Sequence, residues 1–168
     1  MPLYIDYGPT ALGTPAANPA GAQIAFTLGS SAATYSAGTA IGGLTTLATA
    51  ARIANGTGII QSLAIIDSSN QKAAIDFIFL NAAPTNTPVD HSAWTLTATD
   101  FGKQIGRYSL LAAAYASYGT AALGNANGLG IGFQTVGGQT IYVVAICQGT
   151  PTYTASCLNV MLSLEPRD

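Results

Sequence analysis

The chain has 168 residues, and its five Lys and Arg with seven Asp and Glu make only 7% of it charged, against a usual share of about 25%. A net charge of −2 without a basic cluster excludes a nucleic-acid-binding protein that neutralises phosphates, and it excludes a polybasic membrane anchor. The 49% hydrophobic content excludes intrinsic disorder, so we expect one folded unit with its own core. A protein with so few charges is expected to bury part of its surface against neighbours, the alternative being a surface of uncharged polar side chains.

The first 33 residues predict an extended N-terminal arm. They are rich in Ala, Gly, Ser and Thr, and their four prolines disfavour both a helix and a central strand. Ahead of this stretch stands an apolar tip formed by Leu3, Tyr4, Ile5 and Tyr7. We expect the tip to make assembly contacts, because burial of four such side chains could hold it in place. The alternative is a terminus that lies along its own domain, and in either case residues 34–168 form the folded domain.

Beyond the arm, the pattern predicts short β-strands. One strand is expected at Ile59–Ile66, a turn at Asp67–Asn70, and a second strand at Ala73–Leu80, so that the two strands form a hairpin. Alternate residues of the second strand fall on opposite faces, with Ile75, Phe77 and Phe79 on one and Asp76, Ile78 and Leu80 on the other.

The middle of the chain predicts a loop, one short helix and another strand. Residues 81–88 contain two prolines and are expected to form the loop. A helix of one or two turns is expected to start near Thr99 or Asp100, with Asp100 as its cap, and to end at Gly106. The segment Tyr108–Tyr118 reads as a strand, with a helix around Ala112–Ala114 as the open alternative.

Two strong strands are predicted in the last third. Thr140–Cys147 is expected to be a central strand buried on both faces, because neither of its rows carries a charge. Cys157–Leu164 predicts a final strand with alternating apolar residues. Between residues 128 and 132, every second residue is glycine, which predicts a bare strand face that another backbone approaches closely. Together the strands predict an all-β fold, a β-sandwich or jelly roll.

Several targeting and metal-binding patterns are missing from the sequence. There is no apolar run of 18 residues and no signal-peptide pattern, so we expect no membrane partner. Cys147 and Cys157 lie far from the one histidine, His91, and their spacing fits no metal motif. We therefore expect no metal and no cofactor. The cysteines are expected to be buried thiols, with a disulfide between neighbouring strands as the alternative.

The sequence does not point to catalysis. His91 lies in a loop without a nucleophile-elbow motif, and the interior carboxylates fit turns, caps or solvated positions. These carboxylates are Asp67, Asp76, Asp90 and Asp100. We predict no catalytic residue and expect that the protein is not an enzyme. Arg52 stands alone in an apolar stretch, where we expect it to pair with a carboxylate at a subunit contact, or otherwise to be solvated.

Segments spread in order from Tyr35 to Leu164 resemble small virion proteins of tailed bacteriophages, of the capsid decoration or cement type. The segments that carry the resemblance are Tyr35–Leu44, Ala51–Arg52, Gly56–Ser62, Ile65–Asp67, Ile75–Asn81, Pro84–Asp90, Asp100–Gly106, Thr140–Tyr142 and Thr152–Thr154. The resemblance implies a β-sandwich or jelly-roll trimer, made in the host cytoplasm and seated on the outside of an icosahedral shell. Its implied partners are further copies of itself and the major capsid protein, and it implies no catalytic motif.

Two other functions fit the sequence less well. A carbohydrate- or receptor-binding module of a phage fibre would use the tyrosine-containing polar loops at residues 117–120 and 150–156. A small hydrolase would need a nucleophile or a carboxylate pair that the sequence does not present. The low charge itself predicts a homo-oligomer, for which we expect a trimer, because self-repulsion is weak and closed symmetry limits growth.

Overall fold

The structure is a computed structural model and describes residues 22–167. The apolar tip of the predicted arm therefore lies outside the described residues. The strands are β1 (Ala22–Leu28), β2 (Thr45–Leu47), β3 (Thr57–Asp67), β4 (Ile75–Leu80), β5 (Gln104–Leu110), β6 (Tyr115–Tyr118), β7 (Ala121–Gln134), β8 (Ile141–Cys147) and β9 (Leu158–Pro166). Two 3₁₀ helices, Ala98–Lys103 and Ala112–Ala114, flank β5.

The strands pair in a nested antiparallel pattern. The innermost pair is β4 with β5, followed outward by β3 with β7, β2 with β8 and β1 with β9. Folding of this nested ribbon produces a five-stranded sheet in the order β1–β9–β3–β7–β6 and a four-stranded sheet in the order β2–β8–β4–β5. This order is that of a jelly roll with β6 added at one edge, which confirms the predicted all-β class.

One continuous apolar core fills the space between the sheets. Strand β8 lies between β2 and β4, and of its seven residues only Tyr142 is partly exposed, which confirms it as a central strand buried on both faces. The rows predicted for β4 are also confirmed, since Phe77 and Phe79 point into this core while Ile78 and Leu80 point to the other side. Strand β9 alternates buried and exposed residues as predicted.

The boundary predicted between arm and domain is wrong. Residues 22–28, assigned to the arm, form the edge strand β1, and they pair with β9 from Ala22↔Leu164 to Leu28↔Leu158. Ile24 and Phe26 pack against the core. The prolines of the arm all precede this strand, and proline disfavours a central strand more than an edge strand. The folded domain therefore includes Ala22, not residues from 34 onward alone.

The predicted hairpin between the first two long strands is also wrong. β3 belongs to the five-stranded sheet and β4 to the four-stranded sheet, so residues 68–74 cross between the sheets. Asp67 organises this crossing, because its buried carboxylate accepts hydrogen bonds from the backbone N–H groups of Ser69, Gln71 and Lys72. The apolar pattern of a strand shows which side faces the core. Because both sheets face the same core, that pattern does not show which sheet the strand joins.

The short helix exists, with different ends from those predicted. It is a 3₁₀ helix whose N-cap is Thr97, and the Thr97 side chain accepts a hydrogen bond from the backbone N–H of Asp100. Gly106 does not end the helix; it lies inside β5, where a Cβ would meet Ile131 at 2.5 Å. The second 3₁₀ helix separates β5 from β6. The segment 108–118 therefore contains both the strand and the helix that were the alternatives for it.

Two of the glycines of β7, Gly128 and Gly130, lie in a β-bulge. The register with β3 jumps from Ile60↔Ile131 to Ser62↔Asn127, so that Gln61 faces three residues. Gly128 and Gly130 adopt positive φ angles of 68° and 62°, which glycine tolerates best. No described atom lies within 4 Å of a Cβ placed at either residue, so the predicted close approach of another backbone is not made among residues 22–167 of one copy and stays a prediction beyond them.

Candidate assembly face

The outer face of the four-stranded sheet is covered by the protein's own chain. Residues 81–97, which we call the cover loop, follow β4 and place the Trp94 ring over Leu80, Val144 and Ile146. The Trp94 indole N–H donates to the backbone oxygen of Asn86 at 2.7 Å. This arrangement forms a second apolar cluster outside the sheet, so both sides of β8 are dry.

Asp90 attaches the middle of the cover loop to the start of the domain. Its carboxylate accepts hydrogen bonds from the Tyr35 hydroxyl at 2.7 Å, the Gly42 N–H at 2.6 Å and the Ser31 N–H at 3.0 Å. Burial alone would raise the pKa of the Asp90 carboxyl, but the hydrogen bonds from Ser31, Tyr35 and Gly42 outweigh it and lower the pKa. Asp90 is thus a structural anchor.

Asp100 fixes the two ends of the cover loop. Its fully buried carboxylate accepts from the Thr85 N–H at 2.9 Å and the Thr97 hydroxyl at 2.9 Å, and the Lys103 ammonium lies 2.7 Å away. The hydrogen bond from Lys103, followed by those from Thr85, holds the pKa of the Asp100 carboxyl well below its ordinary value. Asp100 was expected to cap the short helix. Its buried carboxylate instead connects Thr85, Thr97 and Lys103.

The outer face of the five-stranded sheet has no such cover among residues 22–167. Cross-strand pairing places its central side chains in rows, for example Ile66 beside Leu123 and Ala64 beside Met161. We define the open face by its eight central residues, Ala25, Ala64, Ile66, Tyr118, Ala121, Leu123, Asn159 and Met161. None of these residues is charged. The first charged side chain on this side of β9 is Glu165, four residues after Met161 and beyond the β3–β7 bulge.

Two shallow apolar depressions adjoin on the open face. One, of about 270 Å³, lies between Tyr118 and Ile66; the other, of about 260 Å³, lies between Ile66 and Met161. The exposed fractions of Tyr118, Ile66 and Met161 are 66%, 48% and 40%, which is high for large apolar side chains on one face of a sheet. An uncharged, uncovered sheet face with two depressions is suited to packing against another protein surface.

The other predicted site residues are not brought together. His91 is exposed and contacts the Thr34 backbone oxygen and the edge of the Tyr35 ring. Asp76, expected beside a turn or edge, is buried on β4, where it accepts from Arg107 and Gln148. The solvated role is therefore wrong for Asp67, Asp76 and Asp100, which are all buried and hydrogen-bonded.

The cysteines and Arg52 have separate surroundings. Cys147 and Cys157 are buried free thiols, as predicted, and burial raises the pKa of the Cys147 thiol. Arg52 is exposed in the connection before β3, and its backbone oxygen accepts a hydrogen bond from the Gln139 side chain. The subunit contact expected of Arg52 stays a prediction.

A polar depression of about 340 Å³ lies near the loop that was considered for glycan binding. Its amides are already engaged, because Gln148 donates to Asp76 and Gln71 accepts from the Thr152 N–H. Tyr153, the aromatic residue of that loop, is 2% exposed, so it offers no surface on which a sugar ring could stack.

Comparisons with known proteins add no family. No protein-family model matches the chain, and neither does any curated protein or solved structure. Within residues 22–167, no helix is long and apolar enough to cross a membrane. The same range contains no group of three His, Cys, Asp or Glu residues that could hold a metal ion.

Sequence reasoning did not identify the open face, although one signal was present. Both rows of β3 are largely apolar, with Ile65 on one side and Ala64 and Ile66 on the other. A strand with one face in solvent normally alternates apolar and polar residues. The apolar outward row therefore indicated either a second layer or a partner.

Proposed function

We propose that the protein is a structural, non-enzymatic virion protein of the capsid decoration type. It forms a homo-oligomer, for which we propose a trimer, and binds the major capsid protein on the outside of the shell. The observation that carries the proposal is the open face, because a jelly roll that covers one outer face and leaves the other uncharged is suited to an assembly.

Electrostatics and hydration both favour association through such a face. Because the open face carries no charge, two proteins that meet there do not have to desolvate ions, which is the costly part of burying polar surface. Burial of apolar area contributes about 25 cal/mol for each Å² removed from water. Side chains such as Ile66 and Met161 supply this area without a compensating loss of ion pairs.

The composition of the buried polar groups supports a structural role over a catalytic one. The Asp67 carboxylate accepts hydrogen bonds from three backbone N–H groups, while Asp90 and Asp100 hold the cover loop. A general acid or base must reach a substrate, and it must keep a proton-transfer position open. These three carboxylates instead accept hydrogen bonds from groups of the protein itself.

The decisive experiment combines oligomeric state with shell binding. Ile66→Lys places a charge in the centre of the open face, and Ser109→Lys places the same charge on an exposed position of β5 as a matched control. We expect light scattering to show an oligomer for the unchanged protein and for Ser109→Lys, and a smaller species for Ile66→Lys. We also expect the first two to sediment with purified tailed-phage shells, and Ile66→Lys to do so at least tenfold more weakly.

Three results would contradict the proposal. A mass of 17.0 kDa for the unchanged protein at micromolar concentration would remove the homo-oligomer. Equal shell binding by Ile66→Lys and Ser109→Lys would show that the open face has no part in assembly. Binding on a glycan array without binding to any shell would favour the fibre-module alternative.

A further inference from the structure

We propose that the apolar tip, Leu3–Tyr7, of one copy packs into the two depressions on the open face of a neighbouring copy. This inference rests on the proposed function in one respect, which is that the protein forms a homo-oligomer. It identifies the occupant of the face as a segment of the chain itself.

The position at which the described chain begins supports this occupant. Ala22 is the first residue of β1, and β1 borders the open face, since Ala25 lines one of the depressions. The 21 residues that precede β1 therefore leave the domain at the margin of the face that needs covering. Residues 8–21 provide 14 residues of connection between the tip and β1, enough for roughly 40 Å at an extended rise of about 3.1 Å per residue.

The chemistry of the tip matches the depressions. In an extended segment Leu3, Ile5 and Tyr7 fall on one side, and Asp6 falls on the other. The three side chains on the first side are apolar or amphipathic, as are the walls formed by Ile66, Leu123 and Met161. The one charge of the tip then stays in solvent, so docking buries no ion.

The length of the connection allows the tip to reach a neighbouring copy, and its composition favours one. Five strands at about 4.8 Å spacing give a face roughly 19 Å wide, so an extended connection of roughly 40 Å can carry the tip beyond the edge of its own domain. Pro9, Pro15 and Pro19 favour extended backbone between tip and domain. Exchange of an arm among identical copies reuses one set of contacts and closes the ring of a cyclic oligomer.

Disulfide trapping tests the inference directly. A chain with Ile5→Cys and a second, tagged chain with Ile66→Cys are co-expressed and oxidised, and the products are separated on a non-reducing gel. The native cysteines are buried and remain out of reach. We expect a covalent species of twice the 17.0 kDa chain that contains both variants and is at least tenfold more abundant than with Ile5→Cys and Ser109→Cys.

The outcomes separate this inference from the proposed function. If the double variant Ile5→Cys/Ile66→Cys closes only within one chain, the tip covers its own domain and the exchange is wrong. If light scattering shows an oligomer but neither pairing traps a disulfide, the tip does not occupy the open face, while the homo-oligomer stands. A protein of monomeric mass overturns both.

Discussion

The two outer faces of the jelly roll differ in cover more than in composition. Both present apolar side chains, with Val144 and Leu80 on the four-stranded side and Ile66 and Leu123 on the five-stranded side. The two longest connections between described elements, residues 29–44 and 81–97, both supply residues to the four-stranded side. The five-stranded side is bordered by short connections such as residues 119–120. Among residues 22–167, the length of the connections and not the composition of the strands therefore decides which outer face is covered.

We expect the largest difference between the two faces when a charged side chain is placed on each of them. Val144→Asp puts a carboxylate between β8 and the cover loop without a partner, and we expect it to lower the free energy of unfolding by about 4 kcal/mol or more. In a protein diluted until it is dissociated, Leu123→Asp on the open face should leave a folded domain and change its free energy of unfolding by no more than about 1 kcal/mol. Urea unfolding followed by circular dichroism at that dilution measures both variants. Equal loss in the two variants would mean that the open face is buried within a single copy as tightly as the other.

Removal of the covering ring should have the next largest effect. Trp94→Ala deletes the largest side chain of the outer cluster and leaves a cavity over Val144 and Ile146, so we expect a loss of about 3–5 kcal/mol. The variant should also bind a hydrophobic dye more strongly, because its four-stranded sheet now resembles the open face. A melting temperature equal to that of the unchanged protein would show that the cover loop packs without contributing stability.

Acid should loosen the covered face before the open one. The folded-state pKa values of Asp90 and Asp100 lie below their ordinary value of 3.8, so their contribution to stability is complete above that pH and is lost as pH falls through the folded values. We expect Asp100→Asn to lower the melting temperature near pH 7, and the difference from the unchanged protein to shrink toward pH 2. Glu165→Gln, at the end of the open side, is the matched control and should show little change. A difference that persisted undiminished at pH 2 would contradict the role of the Asp100 charge.

The smallest expected effects concern two tyrosine hydroxyl groups, one that is hydrogen-bonded to the cover loop and one that is not. Tyr35→Phe removes a hydrogen bond to Asp90 and should cost about 1.5 kcal/mol, because the bond to a carboxylate anchors the cover loop. The Tyr153 hydroxyl is buried without a hydrogen-bond partner among the described residues, so Tyr153→Phe should change stability by less than about 0.5 kcal/mol. Thermal unfolding of the two variants side by side measures the two stability changes. A larger loss of stability for Tyr153→Phe than for Tyr35→Phe would contradict the anchoring role of the Tyr35 hydroxyl.

Local patterns predicted the strands well because strand and face depend on neighbouring residues. The uncharged rows of β8 and the alternation of Phe77 with Ile78 are readable within a few positions. Which sheet a strand joins depends on partners far along the chain, such as Ala22 with Leu164, and this is why the hairpin and the arm boundary were wrong.

The candidate site was harder to predict for the same reason. Ala64, Ile66 and Leu123 have the apolar character of core residues, and only their place on the outer side of the five-stranded sheet shows that they lie outside the core. The roles of Asp90 and Asp100 depend on contacts with Tyr35, Gly42 and Thr85, which no local pattern reports. The assembly contacts expected of Arg52 and of the tip stay predictions.

The nested strand order also sets the schedule on which the protein can fold during synthesis. β9 lies between β1 and β3, so the first and third strands have no connection within their sheet until the ninth has left the ribosome. Pairings this distant along the chain form slowly, because loop closure precedes the contacts that stabilise it. The open face, which needs β9 for Asn159 and Met161, is therefore completed last. A nascent chain cannot present the complete open face until its translation has passed Pro166.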